Sequence, residues 1–293
     1  MVIFAFQFLR MRNSKVSNIF ILFILLVSMQ ASAQRFYSGN EYGFTIGGSQ
    51  YFGDLNNNYG FNTIHPAEGF FLRTPFNPYI SLRAGINYTE VGYDDKYNNN
   101  PFEKTRNLNF KSSILELVTT AEFNFFRYST GEQNSRFTPY LTGGMGIFYY
   151  NPYTYYNGKR YDLRPLGTEG QNAGLGSKYH SIAVCFPIGA GVKYWIKPGV
   201  NLGFEIVDRL TTTDYLDDVS GTYAGADKFL NNPVAAALQD RSAEINPGGA
   251  LGRVGKQRGD ASTFDQYLMA MVTLSFQFKV YRCPGYLKKG FLL

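Results

Sequence analysis

Fifteen consecutive residues, Ile182 to Ile196, alternate between two kinds of side chain. Ile182, Val184, Phe186, Ile188, Ala190, Val192, Tyr194 and Ile196 share one face of an extended chain. Ala183, Cys185, Pro187, Gly189, Gly191, Lys193 and Trp195 share the other. A period of two belongs to a strand, and a strand in a soluble protein is usually about five or six residues long. Crossing a bilayer as a tilted strand takes about 9–11 residues, so this segment has the length and the single apolar face of a membrane strand.

The pattern recurs. Residues 79–92 set Ile80, Leu82, Ala84, Ile86 and Tyr88 against Ser81, Arg83, Gly85, Asn87 and Thr89. Residues 108–127, 200–210 and 264–279 repeat it, and 42–52, 68–74 and 137–150 repeat it in glycine-broken form. The connections 53–67, 75–78, 93–107, 128–136, 151–178, 197–199 and 211–263 alternate long with short. Short turns at one end and long loops at the other are the mark of an outer-membrane barrel. Aromatic residues make up 17% of the chain. Phe123, Phe125, Phe126, Tyr128, Phe137, Tyr140, Tyr194, Trp195, Phe276 and Phe278 fall near the short-turn ends of the strands. Tyr88, Tyr93, Phe148, Tyr149, Tyr150, Tyr179, Phe264 and Tyr267 fall near the other ends, so two interfacial belts are expected. The fold class is therefore all-β: an eight-stranded antiparallel up-and-down transmembrane β-barrel, OmpA/OmpX-like, with long extracellular loops and both termini periplasmic.

Upstream of the strands, Arg10, Arg12 and Lys15 precede an apolar run from Ile19 to Met29 and the small-residue sequence Ala31-Ser32-Ala33. This is the layout of a secretory signal peptide, residues 1–33, leaving 34–279 as the barrel and 280–293 as a basic periplasmic tail. Removing three basic residues lowers the formal charge from +6 to +3, and no basic stripe remains for a nucleic-acid partner. Two cysteines, Cys185 within a strand and Cys283 in the tail, are too few for a cysteine-built metal site, and they lie too far apart in this topology to bridge.

Six charged residues have the parity of the lumen face: Arg83, Glu116, Glu122, Lys193, Glu205 and Arg209. Three of each sign inside an eight-stranded barrel are expected to pair and to plug it, which excludes a diffusion pore. His65 reads as a loop histidine and His180 as a rim histidine. His180 and Ser181 point to opposite faces of the chain and form no dyad. Asp208, Asp214, Asp217 and Asp218 have no calcium-loop spacing and read as part of a solvated loop folding over the rim. No catalytic residue, metal, cofactor or small-molecule substrate is assigned. The tail carries Lys279, Arg282, Cys283, Lys288 and Lys289, a candidate surface for an acidic partner.

Two segments add a resemblance. Tyr51-Phe52-Gly53-Asp54-Leu55-Asn56 closes the first strand, and Asp214-Tyr215-Leu216-Asp217-Asp218-Val219-Ser220-Gly221-Thr222-Tyr223 opens the last loop. With the tail around Cys283-Pro284, they resemble the PorG-like outer-membrane β-barrel family of Bacteroidota. The resemblance implies a structural component of the type IX secretion and gliding machinery. Its implied partners are outer-membrane lipids and a periplasmic ring built from a lipoprotein and its partner protein. A stand-alone OmpX-like surface barrel, binding host or envelope ligands through its long loops, is the alternative.

Overall fold

The structure is a computed structural model and describes residues 39–277. The expected signal peptide over 1–33 and the expected tail with Lys279, Arg282, Cys283, Lys288 and Lys289 lie outside the described residues.

Among the described residues nine strands form: β1 (Glu41–Phe52), β2 (His65–Pro75), β3 (Ile80–Asp94), β4 (Asn109–Asn124), β5 (Phe137–Tyr156), β6 (Lys159–Asp162), β7 (Ile182–Lys197), β8 (Val200–Thr211) and β9 (Gln266–Gln277). All pairings are antiparallel. β1 pairs with both β2 and β9, and β4 with β5, so eight strands close on themselves without a free edge. β6 stands outside the closed ring and pairs only with the far end of β5.

The alternation is realised in side-chain exposure. Phe44, Ile46, Ile86, Leu117, Ile147, Ile188, Ile206 and Val272 point outward and are exposed, whereas Thr45, Asn87, Glu116, Thr142, Glu205 and Thr273 point inward and are buried. An apolar exterior around a polar interior inverts the arrangement of a soluble barrel. Among the described residues no helix is long and apolar enough to cross a membrane.

The short turns follow from local chemistry. Gly199 sits at φ +83°, in the left-handed region that a glycine enters without strain, and lets Lys197-Pro198-Gly199 reverse the chain. Asn77 accepts the amides of Tyr79 and Ile80 on its side-chain oxygen, both at 2.8 Å, and closes the β2–β3 turn.

Several expectations change. β2 begins at His65, so His65 is a strand residue and not a loop one. Residues 151–156 continue β5, and 159–162 return as β6, so the expected loop 151–178 begins as a hairpin projecting beyond the barrel wall. The aromatic belts are thinner than expected. Phe123, Phe125, Phe126, Phe137 and Tyr194 do ring the short-turn end, and Tyr88, Tyr149 and Phe264 the other. Tyr128, Tyr140, Trp195, Tyr93, Phe148, Tyr150 and Tyr267, however, are buried. The parity of Trp195 is that of Lys193, so its ring turns inward, donates from Nε1 to the Ser135 carbonyl at 3.2 Å and stacks under Arg136.

Candidate functional site

Two layers fill the barrel, one in the lumen and one across its long-loop end. Alternation along β3, β4, β7 and β8 turns Arg83, Glu116, Glu122, Lys193, Glu205 and Arg209 inward, and all six are buried. Glu122 is the hub. Lys193 Nζ lies 2.6 Å from its Oε2, Arg73 Nε 2.8 Å from the same oxygen, and Arg83 Nη1 3.8 Å from its Oε1. Arg83 also donates to Glu205 at 2.6 Å, and Tyr140 Oη donates to that same Glu205 oxygen at 2.7 Å. Arg209 and Glu116 pair separately at 3.3 Å, and Glu116 also accepts from Asn87 and from Tyr267.

Two members were not anticipated. Arg73 bridges Glu122 to Glu41, and Ser275 donates to Glu41 as well. With them the lumen holds four carboxylates (Glu41, Glu116, Glu122, Glu205) and four cations (Arg73, Arg83, Lys193, Arg209), all buried. The signal existed, since Glu41 has the parity of Gly43 and Thr45, and Arg73 that of Gly69 and Phe71. The Phe71 ring lies between the guanidiniums of Arg73 and Arg83, 4.8 and 4.2 Å from its centroid. Gly43 makes room for that ring, because a Cβ there would overlap it. Cys185 is also inward and buried, with Sγ 3.9 Å from Glu116 Oε2. An eight-stranded lumen is just wide enough for side chains, and these side chains fill it with mutually neutralised charge.

Across the long-loop end, residues 212–265 fold inward over the rim together with 53–56 and 95–108. Leu55, Leu108, Leu163, Leu216, Val219 and Leu238 form one apolar cluster there with Tyr51, Phe110 and Tyr150. The acidic segment expected to be solvated is buried instead: Asp214, Asp217 and Asp218 are all less than a tenth exposed. Only Asp208, on the outer face of β8, is half-exposed. The reason is a set of partners far away in sequence. Tyr51 Oη meets Asp217 Oδ2 at 2.7 Å and Asp265 Oδ1 at 2.8 Å. Asp265 in turn accepts the Leu216 amide, and Asp217 the Val219 amide. Thr168 and Tyr179 both donate to Asp218. Arg258 donates to Glu169 and to the Asp218 carbonyl, and Arg106 donates twice to Asp95 and once to the Asp54 carbonyl.

Burial pushes Asp217 and Asp265 well above the usual carboxylate range, and neighbouring acids push the same way: Asp265 and Asp54 on Asp217, Asp214 and Asp54 on Asp265. Burial also raises Asp54 and Asp218 to about 6 and Asp214 to about 7. Asp217 and Asp265, raised furthest, hold protons near neutrality, which lets these two carboxyl groups sit side by side around the Tyr51 phenol. Among the described residues no three His, Cys, Asp or Glu side chains gather so as to hold a metal ion. The two segments that carry the family resemblance thus meet: Tyr51 and Asp54 of the first touch Asp217 and the Gly259–Asp260 turn beside Ser220 of the second.

His65 and His180 are not brought together with a nucleophile. His65 Nδ1 lies 3.3 Å from Glu90 Oε1 on the outer wall, and His180 is exposed at the rim.

Among solved structures, Neisserial surface protein A is 10% identical at a TM-score of 0.41, the match covering 82% of this chain and 98% of that one. The attachment invasion locus protein Ail of Yersinia pestis is 9% identical at a TM-score of 0.40 over 83% of this chain and 100% of its own. The N-terminal β-barrel domain of Pseudomonas aeruginosa OprF is 12% identical at a TM-score of 0.33 over 82% and 99%. The barrel assignment rests on the closed strand ladder and not on these likenesses. No curated protein matches the chain significantly in sequence. The family described as a domain of unknown function, DUF6089, matches residues 16–231, and the chain belongs to that family.

Proposed function

We propose that this protein is a non-enzymatic barrel of the outer membrane and a structural component of the type IX secretion and gliding machinery of Bacteroidota. The observation that carries the non-enzymatic, non-conducting part is the lumen. Eight buried charges neutralise one another across β1, β2, β3, β4, β7 and β8 and occupy the lumen. An enzyme would need a reactive group offered to a ligand; here the buried acids are spent on Arg, Lys and Tyr partners. The apolar outer wall supports membrane lipids as its surroundings.

The secretion role rests on the PorG-like resemblance of residues 51–56 and 214–223. Because both segments are used inside the cap, the contact with the ring lipoprotein and its partner protein falls to the other end, where the termini and the tail 280–293 would lie in the periplasm. Deleting 280–293 tests this. Loss of secretion at unchanged barrel level, together with loss of ring proteins from the detergent-solubilised complex, supports the role. Unchanged secretion sinks it. That second outcome favours a stand-alone surface barrel binding host or envelope ligands. Exposed apolar side chains on the long loops, Leu175, Leu230 and Val254, favour that reading.

A further inference from the structure

We propose that the β2–β1–β9–β8 face of the barrel is an interface within the membrane, and that its occupant is a different membrane-embedded protein presenting Lys or Arg at the depth of Glu68 and Asp208. The proposal rests on the membrane reading above and specifies which part of the wall meets protein instead of lipid.

Near the long-loop end of the wall the outward charges are paired, Glu90 with Lys111 at 3.0 Å and with His65 at 3.3 Å. Two outward carboxylates deeper in the wall are not. Glu68 has the parity of Phe70 and Leu72 on β2, is exposed, and stands between Ile46 on β1 and Tyr88 on β3. Asp208 has the parity of Ile206 and Leu210 on β8 and stands between Ile188 on β7 and Leu268 on β9. Among the described residues neither forms an ion pair. Asp208 Oδ1 is closed off from solvent and accepts no hydrogen bond, and the neighbouring Arg209 turns inward to Glu116.

Both acids sit within the apolar band. Ile206 is in the middle of β8, so Asp208 lies one outward position toward the long loops. That is roughly 5 Å from the middle of the wall, at about 3.3 Å per residue and a tilt of about 40°. Glu68 holds the matching place on β2, with Phe70, Leu72 and Thr74 between it and the short turn and Pro66 on the other side. The apolar band of an outer-membrane barrel is about 25 Å tall. Ionisable groups at such depth face protein or pair with a counter-charge, and lipid tails offer neither charge nor hydrogen bond. Between the two acids the wall is low, because Gly48 and Ala270 pair across β1 and β9. Small residues let another chain come close. Ile64 folds over Gly48 and bounds the strip on the loop side.

The occupant must bring positive charge to this depth, and a second copy of the chain does not. On the eight closed strands Arg73, Arg83, Lys193 and Arg209 point inward and are buried. Lys111 is already paired with Glu90, and Lys197 ends β7 at the short turn. Charge complementarity therefore selects a different chain.

The test places the photo-cross-linking residue p-benzoylphenylalanine at Ala270 of the full chain in its own outer membrane. The control places it at Leu117, exposed on the opposite wall. Irradiation at position 270 is expected to join the chain to one other membrane protein, through a membrane-spanning segment that carries Lys or Arg. Position 117 is expected to give no such product. E68Q/D208N is expected to lower the yield about tenfold, and replacing the partner's basic residue with Gln to lower it as far. Removing charge from a lipid-facing wall costs no stability, so the folded band on unheated gels is expected to persist. A product with a second copy alone, no protein product, or an unchanged yield in E68Q/D208N overturns the interface. Alkaline carbonate extraction tests the membrane reading separately. A parent chain released to the supernatant overturns both, whereas one that stays in the membrane pellet without the charge-dependent product overturns the interface alone.

Discussion

Glu122 faces Lys193, Arg73 and Arg83 and accepts from Ser81 besides. Replacing it leaves three buried cations with only Glu41 and Glu205 to share. Removing one partner of a buried pair typically costs about 3–5 kcal/mol, because the charge left behind has no water. Glu122→Gln keeps the shape and removes the charge, so urea unfolding of the refolded barrel should show a loss in that range. Asp162→Asn breaks the pair with Arg160 on an exposed hairpin and should change stability by no more than about 0.5 kcal/mol. Residue parity made six of the eight lumen charges legible. Arg73 was missed because His65-Pro66-Ala67-Glu68-Gly69 hides the alternation of β2, and Glu41 because it precedes the first clear apolar residue of β1.

The cap is the element whose character sequence reasoning misjudged. Asp214, Asp217 and Asp218 look solvated when read along the chain, and the burial of Asp217 and Asp218 depends on Tyr51, Thr168, Tyr179 and Arg258, at least 39 positions away. No local pattern encodes such contacts. Their consequence is a pH dependence of definite sign. A carboxylic acid whose pKa is raised on folding binds its proton more tightly in the folded chain, so stability falls as pH rises from the ordinary value, near 3.8, through the raised one. With Asp54 and Asp218 at about 6 and Asp214 at about 7, the loss runs from about pH 4 to pH 8. Amide exchange of residues 212–265 should therefore be slower at pH 5 than at pH 8, while exchange in β3 and β4 changes little beyond its intrinsic pH dependence. Tyr51→Phe deletes the hydroxyl between Asp217 and Asp265 and leaves both acids buried without it, a cost of about 1–3 kcal/mol. Faster exchange of the cap with an intact barrel is the expected result. Equal exchange in the variant and the parent would show that the trio does not fasten the loop.

For the whole molecule, the strand count, the antiparallel order and the long–short rhythm of the loops were legible, because a period of two over ten or more residues survives everything but glycine and proline. The hairpin beyond β5 was not, since Asn151-Pro152 reads as a strand end while the chain carries the pairing on to Tyr153–Asp162. What the architecture leaves to be measured is the medium around the wall. Ile206 lies in the middle of β8, points outward, and faces Ala190 on β7 and Ala270 on β9. In water, Ile206→Arg would put a charge on an already exposed surface, a change of no more than about 0.5 kcal/mol. In a bilayer the same substitution places a guanidinium near the midplane and costs about 2–4 kcal/mol. The penalty should fall toward zero when arginine is moved along the same strand-facing row to the rim, as in Leu210→Arg, because cost tracks depth. Unfolding midpoints of the two variants in lipid vesicles decide the matter. A larger loss for Ile206→Arg than for Leu210→Arg identifies hydrocarbon at the centre of the wall, and equal small losses would mean that water reaches it.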